Sequence, residues 1–84
     1  MSKKEKLIER LKSKPNDFTF DDAATLLAFF GYRKSNKGKT SGSRVIFISD
    51  KYSMILLHKP HPRNELKSYQ LKQLTHILEQ EGLI

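Results

Sequence analysis

The chain predicts an α+β fold in the order α-α-β-β-β-α, and three observations carry that reading. Apolar residues recur at helical spacing in three segments, over about residues 2–13, after Thr19 and after Ser68. Two short β-compatible runs, Arg44-Val45-Ile46-Phe47-Ile48 and Ser53-Met54-Ile55-Leu56-Leu57, lie between the second and third of these. Glycine, proline and cap-forming side chains mark the boundaries.

Leu7, Ile8 and Leu11 share one face amid Lys and Glu, which predicts a short first helix that Lys14-Pro15-Asn16 ends. Thr19-Phe20-Asp21-Asp22 reads as the next helix start: the threonine hydroxyl accepts the Asp22 amide proton, and the carboxylates favour the positive end of the dipole. Leu26, Leu27, Phe29 and Phe30 are expected on its buried side, and Gly31 suits the left-handed residue that closes it. Tyr32-Arg33-Lys34-Ser35 starts a first strand. The other two strands form a hairpin across Ser49-Asp50-Lys51-Tyr52, and Lys59-Pro60-His61-Pro62 breaks the last one. The final helix starts near Ser68, carries Leu71, Leu74, Ile77 and Leu78 on one face, and stops at Gly82. Both hairpin strands are apolar on both faces, so the sheet is either covered on both sides or keeps one face as an interface.

At 84 residues the chain is expected to hold one core and to carry any site on its surface. Residues 1–14 are expected to form an N-terminal helix extension and residues 15–84 the main domain. Cysteine is absent, which excludes disulfides and thiolate metal sites and fits a reducing cytoplasm. No apolar run approaches the roughly 20 residues that span a bilayer, and the charged start Met1-Ser2-Lys3-Lys4-Glu5-Lys6 has no signal-peptide core behind it. A soluble, cytoplasmic protein without membrane contact is expected.

The net charge of +7 falls in two blocks, +4 over residues 1–14 and +5 over residues 33–51, separated by −3 over residues 15–32. The first block fits the solvated side of an amphipathic helix. The second differs. Between Arg33 and Arg44, five cations stand with no acid among them, interleaved with Gly38, Gly42, Thr40, Ser41 and Ser43, so that backbone and hydroxyl donors add to the charges. Phosphate of a nucleic acid is the expected partner, with Arg33, Lys34, Lys37, Lys39, Ser43 and Arg44 as candidate contacts. Lys37-Gly38-Lys39-Thr40 lacks the spacing of a nucleotide-binding loop and no helix follows it, which argues against ATP or GTP. His58 and His61 do not have the spacing of two metal ligands on one helix, and no metal or other cofactor is expected.

Gly31-Tyr32 after a helix, the basic loop, Gly42-Ser43 before a strand, and His61-Pro62-Arg63-Asn64-Glu65-Leu66-Lys67 leading into a helix that ends Glu81-Gly82-Leu83 together resemble the HicA family of bacterial toxins. The resemblance covers roughly residues 16–84. It implies a double-stranded-RNA-binding-domain-like fold, with a three-stranded antiparallel sheet backed by two helices, and it implies an mRNA interferase blocked by a HicB-like antitoxin. The family's usual Gly-Ser-His, with a catalytic histidine, reads Gly42-Ser43-Arg44 here. Arginine holds phosphate but does not exchange protons at working pH, whereas histidine titrates near neutrality and does.

An ordinary hairpin across Ser49–Tyr52 puts Arg44 opposite Leu57, give or take one residue, and therefore near His58. A rebuilt site follows as an expectation, with Arg44 gripping phosphate and His58 handling the proton. A register slip of one residue would turn His58 to the other face. His61, at the family's histidine before the last helix, is a further catalytic candidate, while His76 reads as a partly exposed packing residue. Three functions stand open at this point. They are an mRNA-cleaving toxin, an RNA-binding module without cleavage, and a protein that docks an acidic antitoxin through its sheet and basic face.

Overall fold

The computed structural model describes residues 2–35, 44–60 and 63–84. Lys37, Lys39, Ser43 and His61, all expected site residues, lie outside them. The elements are α1 (Lys3–Ser13), α2 (Phe20–Phe29), β1 (Arg33–Lys34), β2 (Arg44–Ile48), β3 (Ile55–His58) and α3 (Ser68–Gln80), which is the predicted order. The three strands form one antiparallel sheet, β1-β2-β3, with the helices on one side of it.

Local chemistry sets the helix ends. The Thr19 hydroxyl accepts the Asp22 amide at 3.0 Å while Asp22 Oδ2 accepts the Thr19 amide at 3.1 Å, so two otherwise orphan donors of α2 are satisfied reciprocally. At the other end Gly31 takes φ 90°, and the Tyr32 amide bonds back to the Leu27 carbonyl at 3.0 Å. A side chain at Gly31 would be strained in that conformation. The capping turn leaves only Arg33 and Lys34 as a regular strand, with the Ser35 amide extending the ladder to the Ile46 carbonyl at 2.8 Å.

Phe18, Phe20, Leu26, Leu27, Phe47, Ile55, Leu57, Leu71, Leu74 and Leu78 form the core. Leu7 and Leu11 of α1 complete it, with Leu11 fully buried, so the N-terminal helix packs on α2 and α3 rather than standing apart. Phe29 departs from expectation, being 47% exposed. Phe20, Ala23, Leu26 and Leu27 already define the buried side of α2, and Phe29 falls outside that arc. His76 is exposed rather than packed. β3 begins at Ile55 instead of Ser53, because the Ser53 carbonyl is taken by the Tyr32 hydroxyl at 2.8 Å. Among the described residues, no helix is long and apolar enough to cross a membrane.

Candidate nucleic-acid interface

The hairpin register pairs Arg44 with His58, Val45 with Leu57, Ile46 with Leu56 and Phe47 with Ile55. This lies one residue from the sequence estimate and inside its margin. Because side chains alternate along a strand, Leu57, Phe47 and Ile55 point to the helices, and Arg44, Ile46, Leu56 and His58 share the open face. Arg44 and His58 therefore stand side by side at one end of the sheet, both exposed.

The backbone fixes what kind of pair they make. The Ile46 carbonyl turns to β1, where the Ser35 amide donates to it, and the His58 carbonyl turns away from β2, where the Gln70 side chain donates to it at 2.8 Å. Arg44 and His58 are thus a non-hydrogen-bonded pair, the closer of the two antiparallel types, with Cα atoms about 4.5 Å apart in such pairs. Gln70 is 3% exposed, and its Oε1 also accepts the Lys67 amide at 2.9 Å. One carboxamide on α3 thereby ties the start of its own helix to the end of the strand that carries His58.

The other candidates separate. Arg33 lies opposite Ile48, four residues or about 13 Å along β2 from Arg44, and pairs with Asp50 at 3.7 Å. With 59% and 88% of the two side chains exposed, that ion pair is screened by solvent and leaves the guanidinium accessible. Lys34, opposite Phe47, lies on the helix side of the sheet, its ammonium 5.6 Å from the centre of the Phe20 ring. Lys59 reaches the same ring, at 5.7 Å. Sequence reasoning treated Lys59 as part of a strand-breaking segment and did not single out Gln70; neither carries a local motif, and each acquires its role through contacts distant in the chain. Tyr32 and Tyr52, dispersed in sequence, stack with centroids 6.2 Å apart.

Among the described residues no group of three or more His, Asp or Glu side chains comes together to hold a metal ion. A cleft of about 370 Å³ lined by Phe29, Phe30, Gly31, Ser49, Asp50, Lys51 and Tyr52 lies at the end of the sheet away from Arg44 and His58. Burial, with Glu81 and Tyr52 nearby, raises the Tyr32 phenol above its usual value near 10.0.

A family model described as the HicA toxin of bacterial toxin–antitoxin systems matches residues 20–83. Comparison with curated proteins and with solved structures returns no significant match. The matched segment runs from the first residue of α2 to beyond the end of α3 and takes in the whole sheet, so α1 alone among the elements lies outside it. With well over half of its residues in that match, the chain belongs to the HicA toxin family.

Proposed function

We propose that this toxin binds and cleaves mRNA in the cytoplasm, with Arg44 and His58 as its catalytic pair and without a metal ion. The direct pairing of Arg44 with His58 on the open face is the observation that carries the reading. In this reading Arg44 holds the nonbridging oxygens of a phosphate and stabilises the charge that grows on them. His58 takes the proton of the adjacent 2′-hydroxyl as that oxygen attacks phosphorus. The bond to the 5′-oxygen breaks, solvent protonates the leaving oxygen, and the products are a 2′,3′-cyclic phosphate and a 5′-hydroxyl. Lys37, Lys39, Ser43 and Arg33 add phosphate contacts, and His61 is a second candidate for the proton given to the leaving oxygen.

A HicB-like antitoxin docks on the open face in the same reading. Leu56 and Met54 are 51% and 59% exposed, beside half-buried Ile46 and Ile48, and Arg33 and Arg44 edge the apolar strip. A partner that is apolar at its centre and acidic at its rim covers this surface and excludes RNA through the same charges.

The test is cleavage of a labelled mRNA in chelator by the unaltered chain and by the Arg44→His and His58→Ala proteins. Cleavage lost in His58→Ala supports the pair. Full activity in His58→Ala refutes it, and cleavage by Arg44→His alone identifies the unaltered chain as a binding protein with a disabled site.

A further inference from the structure

The cations of the expected interface divide between the two faces of the sheet. Lys34 leaves β1 and Lys59 follows the end of β3, so they start from opposite edges. Their ammonium groups converge on one ring, that of Phe20, at 5.6 and 5.7 Å from its centre, and so lie no farther apart than those two distances together. Phe20 itself is 1% exposed and packs on Phe47 of the central strand with centroids 6.0 Å apart. Lys34 is exposed and Lys59 half-exposed.

An anion held between the two ammonium groups relieves whatever repulsion remains between them. Neither lysine forms an ion pair among the described residues. The carboxylate next along the chain from Phe20, that of Asp21, accepts the Asn64 side-chain amide at 3.0 Å instead. The aromatic face supplies a weak attraction to each ammonium, which orients it without neutralising it.

We propose that Lys34 and Lys59 form a two-cation phosphate site on the helix side of the sheet, and that an RNA strand engaged at Arg44 and His58 passes over the end of β3 to reach it. The site rests on the RNA reading above and adds to it a direction for the backbone. Lys59 adjoins His58 in the chain, so a strand leaving the open face meets Lys59 first and Lys34 beyond it. RNA thus wraps the sheet end, and an antitoxin confined to the open face leaves this second site uncovered.

The probe is a single-stranded, 2′-O-methylated RNA oligonucleotide, which cannot be cut through its 2′-oxygens, and the readout is fluorescence anisotropy over a salt titration. The Lys34→Met/Lys59→Met protein keeps unbranched side chains of similar length at both positions and loses both charges. Each phosphate contact to a single strand contributes about 0.7 to the slope of log affinity against log salt, so the double change makes that slope shallower by about 1.4. Lys34→Arg/Lys59→Arg restores the parent slope, and Lys3→Met/Lys12→Met on α1 leaves it unchanged. A parent-like slope in the Met protein overturns the site, and so does an equal loss in the α1 control, which would reflect total charge only. Absence of RNA binding by the unaltered chain overturns the RNA reading and this site with it, whereas binding that is indifferent to Lys34 and Lys59 overturns this site alone.

Discussion

Replacing Gln70 by leucine isolates the link between the last helix and the proposed catalytic strand. The carboxamide is 3% exposed and makes two hydrogen bonds, to the His58 carbonyl at 2.8 Å and from the Lys67 amide at 2.9 Å. Leucine fills similar space and makes neither. Both bonds are only partly buried, so water reaches the abandoned backbone groups and the loss is about 1 kcal/mol for each, partly offset by the added apolar burial. A net destabilisation of about 1–2 kcal/mol follows, and in a domain of this size it lowers the melting temperature by roughly 4–16 °C. Urea denaturation measures it, as a lower midpoint with an unchanged m-value. The Gln70→Glu protein supplies the chemical control. Its ionised carboxyl keeps the bond from Lys67 but sets oxygen against the His58 carbonyl oxygen, and only the protonated form donates there. The folded state then binds that proton more tightly than the unfolded state, so the lost stability is regained below the ordinary glutamate range and disappears as pH rises through the raised folded value. A Gln70→Leu midpoint equal to the parent's, or a Gln70→Glu protein with no acid-side recovery, refutes the reasoning.

Three other changes have defined outcomes. Leu11→Ala removes a fully buried side chain from α1 and costs about 2–5 kcal/mol in a urea melt, although α1 lies outside the family match. Arg10→Ala cuts ion pairs to Asp17 at 3.3 Å and Asp22 at 3.2 Å, yet Arg10 is 39% exposed and solvent screens it, so the same melt shows a loss below about 1 kcal/mol. The raised phenol of Tyr32 makes stability fall at alkaline pH: below its usual value near 10.0 both states hold the proton and the contribution is complete, and as pH rises through the folded value it is lost. Urea midpoints from roughly pH 9 to 11 show that fall in the parent, and a shallower one in Tyr32→Phe, which also lacks the bond to the Ser53 carbonyl.

Most of the fold was legible because its signals are local. Thr19 with Asp22 states a helix start, Gly31 and Gly82 both adopt the positive φ expected of a helix stop, and the hairpin spacing located His58 within one residue of its partner. The errors come where local pattern underdetermines tertiary choice. Leu26, Leu27, Phe29 and Phe30 are all apolar and cannot all enter one arc, and only the placement of Phe20 and Ala23 decides that Phe29 is left outside. Ser53 has the makings of a strand residue, but Tyr32, far earlier in the chain, takes its carbonyl. Of the candidate site, register arithmetic brought His58 to within one residue of the place opposite Arg44, whereas their sharing of one face and the separation of Arg33 to the far end required the observed strand pairings. Lys59 and Gln70 were silent, since a lysine after a strand and a glutamine in a helix are commonplace until the partners are known.

In the proposed site, an arginine at residue 44 determines what the rest of the sheet end has to provide. A histidine there would combine phosphate contact and proton transfer in one side chain, whereas arginine supplies only the first. On an antiparallel pair the nearest place to recover the second is the residue directly opposite, on the same face, and that residue is His58. Two side chains on separate strands must then hold their relative position, which a single side chain need not do. In the proposed mechanism the contact from Gln70 to the His58 carbonyl meets that requirement, because it ties the outer edge of β3 to α3 at the level of the histidine. The division of labour predicts unequal effects from the two obvious variants. Arg44→Lys keeps a charge but loses the planar fork, so it weakens phosphate contact and lowers turnover in proportion to the lost transition-state contact. Gln70→Leu keeps every charge and loosens only the geometry, so RNA affinity holds while turnover falls. If both variants lose affinity and turnover together, the histidine is part of a binding surface and the proposed catalytic pair is refuted.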